Sequence, residues 1–434
     1  MKRKKDSIGD TSNEAKGKAE SCEIYPYFDN LPEPLITQIL LQLPINSLLI
    51  CKCVCTNWKS LISEQRFAEL HFQQAQTCFM IRPSEYNRLV SRTLYLLESD
   101  PENFYIGSNN HVKLAPIFKL PLRDVKFKKK SGKFLYKFHV ANSCNGLLCL
   151  CLPYNGNPLV ICNPITGEFI RLPEAATVTP IGLCPYHVSI ETIVGFGFQP
   201  KTNEYKVIKM CVINVRRLMN SSFQRLTLQI LALGTLSWRN VEVDHQLFIS
   251  RLTHPTCVNG TIHWIRFGRW QISILCFNFE SESLQSFPSP PHIFENNNEI
   301  FDKCYISMGE LRGFLYICDA SSPHGVTMWV MKNYGIGESW TKVYNIDTFL
   351  SNDVSPHFGS YWPVKHFEEG AAILSYHSSK CFIFFEPGKY GFKVFRIHGI
   401  QSKFFQVIPH IPSLISLKDV VKGDNVEVLN IHSR

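Results

Sequence analysis

One short pattern recurs along this chain and restricts the folds that it can adopt. An Asn-Gly or Arg-Gly pair precedes a short, largely apolar run: NGLLCL at 145–150, NGTIHW at 259–264 and RGFLYI at 312–317. Glycine supplies the positive φ that a tight turn before a strand requires. Each copy continues into a second apolar run, a polar turn and a final strand. The second runs are LVIC at 159–162, ILCF at 274–277 and MWVM at 328–331.

Weaker versions of this unit fill the chain after residue 76. Strands are predicted at 78–81, 93–97, 196–198, 205–210, 226–233, 371–374, 381–385 and 392–397. About six such units, each near the roughly 50 residues of a kelch repeat, cannot cover their own apolar faces. Closing them into a ring removes the open sheet edges. The sequence therefore predicts a β-propeller of about six blades, with a pair of β-sandwiches as the alternative.

Residues 30–73 follow a helical pattern instead. Apolar residues recur at spacings of three and four from Leu35 to Leu43, Pro44 ends this helix, and Ser47 is placed to begin a second. A third short helix carries Trp58. About 40 residues in three helices cannot bury so many apolar side chains internally. Part of this surface is therefore expected to be covered by a partner or by the rest of the chain.

An ordered series of motifs in this helical segment resembles the F-box, especially in its plant form. The matching residues are Leu31-Pro32, Ile39-Leu40, Leu43-Pro44, Ser47-Leu48-Leu49, Cys53-Val54-Cys55, Trp58-Lys59, Leu61-Ile62 and Arg66-Phe67. The resemblance implies a three-helix domain that binds a Skp-type adaptor and, through it, a cullin scaffold. Carried over residue by residue, the adaptor-facing set is Leu31, Pro32, Leu35, Leu43, Pro44, Leu48, Val54 and Trp58.

Two positions depart from the F-box pattern. Pro34 stands where the family often has an acidic residue, and Ile50 stands where it often has a basic one. Proline is tolerated in the first turn of a helix, where backbone N–H groups lack intrahelical partners. The change at Ile50 removes a charge from the rim of the expected interface.

The β-domain resembles the F-box-associated interaction domain of plant proteins. The resemblance rests on SCNGLL at 143–148, NPITG at 163–167, GFGF at 195–198 and NEYKV at 203–207. Most of the paired glycines of true kelch repeats are missing. The order of the two domains implies the substrate-recognition subunit of an SCF-type (Skp-cullin-F-box) ubiquitin ligase, which binds a target protein of unknown identity. A scaffold without a degradative role is the alternative.

The fold class predicted from this organisation is α+β, with the helices and the strands in separate segments of the chain. The predicted boundaries are a disordered tail at 1–29, the F-box at 30–73, the propeller at 74–415 and a C-terminal tail at 416–434. Trp238 and Trp340 occupy equivalent places in two units and are expected to be blade-packing residues rather than residues that stack on a ligand. Target recognition is expected in loops between strands, such as 236–242, 287–299 and 321–325.

The motifs of common enzymes are absent from the sequence. The glycines at 195 and 197 lack the third glycine of the dinucleotide fingerprint, and neither a phosphate loop nor a nucleophile elbow occurs. No Cys-x-x-Cys pair indicates structural zinc. We therefore expect no catalytic residue, no metal and no cofactor, so that the chain is not an enzyme. An active site distributed over several blades is the alternative.

Composition restricts the partners and the compartment. Lys and Arg number 45 against 36 Asp and Glu, but the excess is spread thinly, so no nucleic-acid partner is expected. No run approaches the roughly 18 apolar residues of a membrane span, and residues 1–23 lack the apolar core of a secretory signal. Sixteen scattered cysteines favour a reducing compartment. The expected location is the cytoplasm, the nucleus or both.

Overall fold

A computed structural model describes most of the chain. The described residues are 31–84, 92–97, 111–113, 117–122, 125–129, 132–136, 138–152, 156–175, 188–216, 222–244, 249, 251–267, 272–291, 305–320, 325–347, 361–366, 372–376, 381–385, 392–398, 404–421 and 426–432. They divide into two compact units, one ending at Leu43 and the other beginning at Pro44. The tail predicted at 1–29 lies outside the described residues, and the domain boundaries stay predictions.

The first unit contains one helix, α1 (Glu33–Leu41). Proline in its first turn is compatible with the start of a helix, because the first backbone N–H groups have no intrahelical acceptor. The helix ends at the cap residue Gln42, whose N–H donates to Ile39 O. Leu40 is buried, whereas Leu35 and Ile39 are exposed.

The second unit begins with α2 (Ile45–Cys51), α3 (Thr56–Ile62) and α4 (Gln65–Gln74). Helix α3 starts at the N-cap residue Cys55, whose Sγ accepts a hydrogen bond from Trp58 N at 3.5 Å. Helices α1 to α3 are the three that the sequence predicts, and α4 is an additional helix between them and the β-domain. The extended backbone of Glu64 separates α3 from α4.

Six sheets of four or five strands form the rest of the second unit in the described residues. Blade 1 contains β1 (Cys78–Ser84), β2 (Thr93–Leu97), β4 (Ile117–Lys119) and β27 (Phe404–His410). Blade 2 contains β7 (His139–Cys144), β8 (Leu147–Cys151), β9 (Val160–Cys162), β10 (Glu168–Arg171) and β28 (Leu429–Asn430). Blade 3 contains β11 (Val188–Gln199), β12 (Glu204–Arg216), β13 (Ser222–Ala232) and β14 (Arg239–Val241).

The other three sheets continue this order along the chain. Blade 4 contains β15 (Arg251–Val258), β16 (Thr261–Phe267), β17 (Ile272–Asn278) and β18 (Ser283–Phe287). Blade 5 contains β19 (Ile306–Leu311), β20 (Phe314–Asp319), β21 (Gly325–Met331) and β22 (Trp340–Asp347). Blade 6 contains β23 (Tyr361–His366), β24 (Ala372–Tyr376), β25 (Cys381–Phe385), β26 (Phe392–His398) and β3 (His111–Lys113). A separate hairpin pairs β5 (Val125–Lys129) with β6 (Gly132–Tyr136).

The predicted fold class is confirmed: helices at the N-terminal side are followed by an all-β propeller, and its six sheets agree with the expected number of blades. The innermost strands β27, β7, β11, β15, β19 and β23 contact one another in this order. The parallel pairing of β3 with β26 ties blade 6 to the segment that builds blade 1. Such closure leaves few exposed strand edges, which is how a propeller avoids edge-to-edge aggregation.

Hydrogen bonds between innermost strands hold the blades together. Asn142 on β7 makes two bonds to Phe196 on β11: its Nδ2 donates to the carbonyl oxygen at 2.7 Å, and its Oδ1 accepts from the backbone N–H at 2.9 Å. Further bonds of this kind run from Gln406 to Val140 O, from Thr256 to Met308 O and from Ser307 to Tyr361 O. Asn142, Thr256 and Ser307 are buried, so their pairing avoids a desolvation cost of about 1–3 kcal/mol each.

A second repeated contact joins the outer parts of neighbouring blades. Trp238 Nε1 in blade 3 donates to Pro173 O, which follows blade 2, at 2.9 Å. Trp340 Nε1 in blade 5 donates to Pro288 O, which follows blade 4, at 3.2 Å. Both tryptophans are therefore packing residues of the propeller, as predicted, and the structure adds that each one bonds to the preceding blade.

The C-terminal segment closes the propeller across blades 1 and 2. Strand β27 pairs with β1 over its whole length, α5 (Leu417–Val420) buries Leu417, and β28 pairs with β10. The segment predicted as a tail from residue 416 thus belongs, in its described part, to blade 2. Strand β28 pairs Asn430 with Glu168, and such distant pairing has no local sequence signal, which is why the pattern did not reveal it.

Asn163, in the second of the family motifs, anchors this closing segment. Its Nδ2 donates to Ser413 O and to Ile415 O, both at 2.9 Å, and its Oδ1 accepts from Ile165 N at 2.9 Å. Gly146 lies against the same segment, since a Cβ at that position would lie 2.2 Å from Ser413 Cβ. These motif residues therefore hold the ring closed.

Candidate functional site

The helices α1 to α3 carry the residues predicted to bind an adaptor, and the two units are described separately. The eight residues predicted to face an adaptor differ in exposure. Pro32, Leu35, Pro44 and Val54 are exposed, Leu31, Leu43 and Trp58 are half-buried, and Leu48 is buried. Seven of the eight therefore have surface available for a partner. Leu31, Pro32, Leu35 and Leu43 belong to the first unit, and the other four belong to the second.

Leu48 has no exposed surface, so its side chain is buried in the protein. It lies on α2 beside Ile45, which is also buried. Both residues lie on one helical face, because positions three apart are neighbours on a helix surface. The sequence could not separate packing residues from interface residues, and the structure assigns Leu48 to packing.

Two exposed apolar residues were missing from the predicted set. Ile39 on α1 is 47% exposed, and Ile50 on α2 is 69% exposed. Ile50 and Val54, which is 61% exposed, flank the turn in which Cys53 N donates to Ile50 O at 2.8 Å. The signal for Ile39 was its place in the apolar series of α1. Ile50 was noted only as a lost charge, although an apolar residue on a helix end is itself a signal for an interface.

The second candidate site is a cavity of about 990 Å³ between the innermost strands of the propeller. Residues of β7, β15, β19 and β27 line it, and the turns that follow β7, β15 and β19 contribute Asn145, Asn259 and Gly313. This axial cavity is at the upper end of the volumes of about 300–1,000 Å³ that are typical of small-molecule sites. Sequence reasoning missed it, because its wall is assembled from strands of several blades.

Two histidines of the axial cavity, His139 and His410, are held neutral by burial. Burial lowers the pKa of His139 to about 4, with Arg82 adding to the effect, and it lowers the pKa of His410 to about 3. His410 Nδ1 lies 3.0 Å from Ser143 Oγ, which is within hydrogen-bond distance. Both imidazoles are therefore uncharged at neutral pH.

The structure was also searched for metal and membrane sites. Within the described residues, no group of three or more His, Cys, Asp or Glu side chains could hold a metal ion. None of the helices there is long and apolar enough to cross a bilayer. Of the loops predicted to recognise a target, residues 236–242 are described and Leu236 is 59% exposed. Residues 292–299 and 321–324 lie outside the described part of the chain.

Comparison with known families matches both parts of this architecture. Residues 28–70 match the F-box domain, and residues 98–421 match the F-box associated beta propeller domain. The second match covers most of the chain, and the chain belongs to the family of F-box proteins that carry this propeller domain. F-box proteins are in general non-catalytic substrate adaptors, and F-box domains in general bind Skp-type adaptors within SCF complexes.

Several similar proteins are F-box proteins of a plant. An F-box protein of Arabidopsis thaliana is 25% identical over 413 residues, which are 88% of this chain and 90% of the relative. An F-box/kelch-repeat protein of Arabidopsis thaliana is 25% identical over 326 residues, 73% of this chain and 79% of the relative. A solved nidogen/laminin complex contains a chain with a TM-score of 0.37 at 8% identity, covering 77% of this chain and 99% of that chain. That score is too low to carry an argument.

Proposed function

We propose that this protein is the substrate-recognition subunit of an SCF-type E3 ubiquitin ligase. The F-box helices bind a Skp-type adaptor, which binds a cullin scaffold, and the propeller binds a target protein for ubiquitination. The observation that supports this proposal is the exposure of large apolar side chains on the F-box, above all Ile50 and Val54. Such residues are costly to leave in water and are typical of a surface that a partner covers.

The mechanism is positional rather than chemical. Holding the target and the ubiquitin donor in one complex raises their effective concentration, so that a bimolecular transfer behaves like an intramolecular one. No side chain of this chain forms or breaks a bond in this mechanism, and the chain is a non-catalytic subunit without metal or cofactor. The proposed location is the cytoplasm, the nucleus or both, which suits the free thiols of the described cysteines.

Adaptor binding tests this proposal directly. The full chain is captured with a purified Skp-type adaptor, alongside the single variants Val54→Asp and Ile50→Asp. Because each variant places a charge in an apolar contact, binding is expected to weaken by at least about tenfold. The matched control is Leu236→Asp, since Leu236 is similarly exposed, at 59%, but lies on the propeller.

The outcomes separate the possible functions. Loss of binding in both F-box variants, with Leu236→Asp unchanged, supports the ligase subunit. A folded wild-type chain that does not bind the adaptor contradicts it. If the adaptor binds but no protein in the cell becomes longer-lived when the chain is deleted, the alternative of a scaffold without a degradative role takes its place.

A further inference from the structure

Two cysteine thiols meet where the innermost strands of blades 2 and 4 approach each other. Cys144 is the last residue of β7, and Cys257 lies one residue before the end of β15. An Asn-Gly turn follows each of these strands, so both cysteines lie at the same end of the ring. The strands β7 and β15 contact each other directly, although β11 of blade 3 lies between them in the order of the ring.

Several contacts hold the two sulfur atoms together. Cys257 packs against the apolar cluster that contains Cys144, and a side-chain hydrogen bond joins the two thiols. The backbone of Phe198, near the end of β11, is hydrogen-bonded to both sulfur atoms. A Cβ at Gly260, in the turn after β15, would lie 3.6 Å from Phe198 O. Three innermost strands therefore converge on one pair of thiols.

The axial cavity gives small molecules a route to this pair. Cys144, Phe198 and Cys257 all line the cavity, whose volume is about 990 Å³. Cys257 is half-buried, whereas Cys144 is buried. A small oxidant in the cavity therefore meets Cys257 first.

The contact between the two thiols makes them unequal in reactivity. The hydrogen bond from Cys144 lowers the pKa of Cys257, against the opposing effects of burial and of the Glu310 carboxylate. The same hydrogen bond, together with burial, raises the pKa of Cys144. A lowered pKa increases the fraction of thiolate, which is the form that reacts with oxidants. Cys257 is therefore the attacking thiol, and Cys144 is the thiol that follows it.

Two buried cysteines of the same blades provide the comparison. Cys149 on β8 has no exposed surface, and Cys276 on β17 is 5% exposed, close to the 6% of Cys144. Burial raises the pKa of both thiols, to about 11 at Cys276. Neither cysteine belongs to the described lining of the axial cavity. Structural thiols that are buried in this way are inert towards oxidants.

We propose that Cys257 and Cys144 form a redox-modification site, which hydrogen peroxide converts into a reversible disulfide between blades 2 and 4. Disulfides in proteins of a reducing compartment are usually transient, and they serve catalysis or redox sensing. The adaptor surface takes no part in this reaction. The proposal therefore holds or fails independently of the proposed function.

The reaction has two steps. The Cys257 thiolate attacks one oxygen of hydrogen peroxide, the O–O bond breaks, and the leaving hydroxide takes up a proton to become water. Cys257 is then a sulfenic acid. The Cys144 sulfur attacks the Cys257 sulfur, the S–O bond breaks, and the leaving hydroxide takes the Cys144 proton to become a second water. The two thiols thus supply the two electrons that reduce the peroxide.

The disulfide would change the propeller covalently. It would enclose all of blade 3 in a loop that runs from Cys144 to Cys257, and it would fix one end of the axial cavity. A dithiol reductant would restore the two thiols by thiol–disulfide exchange. The same chain would therefore have two forms that differ in the wall of this cavity.

The experiment exposes the full, reduced chain to hydrogen peroxide and then alkylates the remaining thiols. Chymotrypsin cleaves after Leu148 and so separates Cys144 from Cys149. Mass spectrometry of the unreduced peptides measures each disulfide, and a parallel sample is treated with dithiothreitol before alkylation.

The expected result is a Cys144–Cys257 disulfide at least about tenfold more abundant than any disulfide of Cys149 or Cys276, because only the first pair combines access with a thiolate. Dithiothreitol should remove it. The proposal is overturned if Cys257 stays reduced, if it is oxidised without pairing, or if it pairs equally with Cys149 or Cys276.

Three variants test the order of the two steps. In Cys144→Ser, the sulfenic acid of Cys257 has no second thiol, so its capture by dimedone should rise at least about tenfold. In Cys257→Ser, Cys144 should stay reduced. Cys276→Ser is the matched control and should leave the Cys144–Cys257 disulfide unchanged within about twofold. Oxidation of Cys144 in Cys257→Ser would contradict the assigned order, and the wild-type measurement does not depend on the folding of any variant.

A sample oxidised in urea tests whether the folded ring selects the pair. In the unfolded chain, loop closure favours cysteines that are close in sequence over two that are 113 residues apart. The preference for the Cys144–Cys257 disulfide should therefore disappear. A preference that persists in urea would show that the propeller does not bring these thiols together, and it would overturn the proposal.

Discussion

The F-box and the propeller place their apolar side chains differently. On the F-box, Leu35, Ile50 and Val54 are between 46% and 69% exposed, whereas Ile262 and Trp264 of β16 are at most 1% exposed. The propeller blades cover one another, because each sheet packs against the next around a ring. The F-box leaves large apolar groups in water. The comparison teaches that the ring buries its large apolar side chains, whereas the F-box keeps several of them exposed.

The largest expected effect comes from removing the closure of the ring. Deleting residues 404–434 removes β27, which is the innermost strand of blade 1, and the acceptors of Asn163 Nδ2. We expect the cooperative thermal unfolding of the propeller to disappear, as measured by near-ultraviolet circular dichroism. The matched control deletes only residues 426–434, which hold the two-residue strand β28. Its cost should be about 2–4 kcal/mol, so that cooperative unfolding is retained. If both deletions abolish cooperative unfolding, the role of β27 in closing the ring is contradicted.

A smaller effect distinguishes a buried apolar side chain from an exposed one within the F-box. Leu48→Ala should lower the local free energy of unfolding by about 2–5 kcal/mol, because it leaves a cavity at a position without exposed surface. Val54→Ala should change it by less than about 0.5 kcal/mol. Amide hydrogen exchange in α2 and α3 measures both. Similar exchange rates in the two variants would show that the buried Leu48 side chain contributes no more stability than the exposed Val54 side chain.

The smallest of these effects depends on pH. Burial lowers the pKa of His263 to about 4, and its ring nitrogens lie 3.2 Å from Thr256 O and 3.0 Å from the Tyr334 hydroxyl. The unfolded chain binds a proton at this histidine more readily, so its stabilising effect is complete above about pH 6.5 and is lost as the pH falls towards 4. At pH 5.5 the loss is about 1.4 kcal/mol.

The variant His263→Asn isolates this contribution. Its stability should fall less between pH 7 and pH 5.5 than that of the wild type, by about 1 kcal/mol. Urea unfolding at both pH values measures the difference. Parallel pH profiles would mean that His263 is not the group that titrates.

Local signals predicted much of this fold. Asn145-Gly146 and Asn259-Gly260 were interpreted as tight turns, and the φ angles of all four residues are positive in the structure. Trp238 and Trp340 were recognised as equivalent because each follows a serine at the same point of the repeat. Turn chemistry and repeat spacing depend on neighbouring residues, so a single sequence contains them.

What the sequence could not predict depends on distant pairing. Strand β27 lies beside β1, with Cys78 opposite His410, and no periodicity connects two segments 332 residues apart. The axial cavity has the same origin, since its wall combines strands of four or more blades. The burial of Leu48 and the exposure of Ile50 depend on how helices pack, whereas the apolar pattern records only that both are hydrophobic.

The position of β27 also sets an order of events during synthesis. The F-box lies ahead of residue 75, so it leaves the ribosome while the propeller is still being made. Blade 1 cannot be completed until residues 404–410 have emerged, because they supply its innermost strand. A nascent or truncated chain therefore presents an F-box without a finished propeller. Under the proposed function, such a chain would bind the adaptor without delivering a target, so that completion of β27 decides whether the chain can act as a receptor.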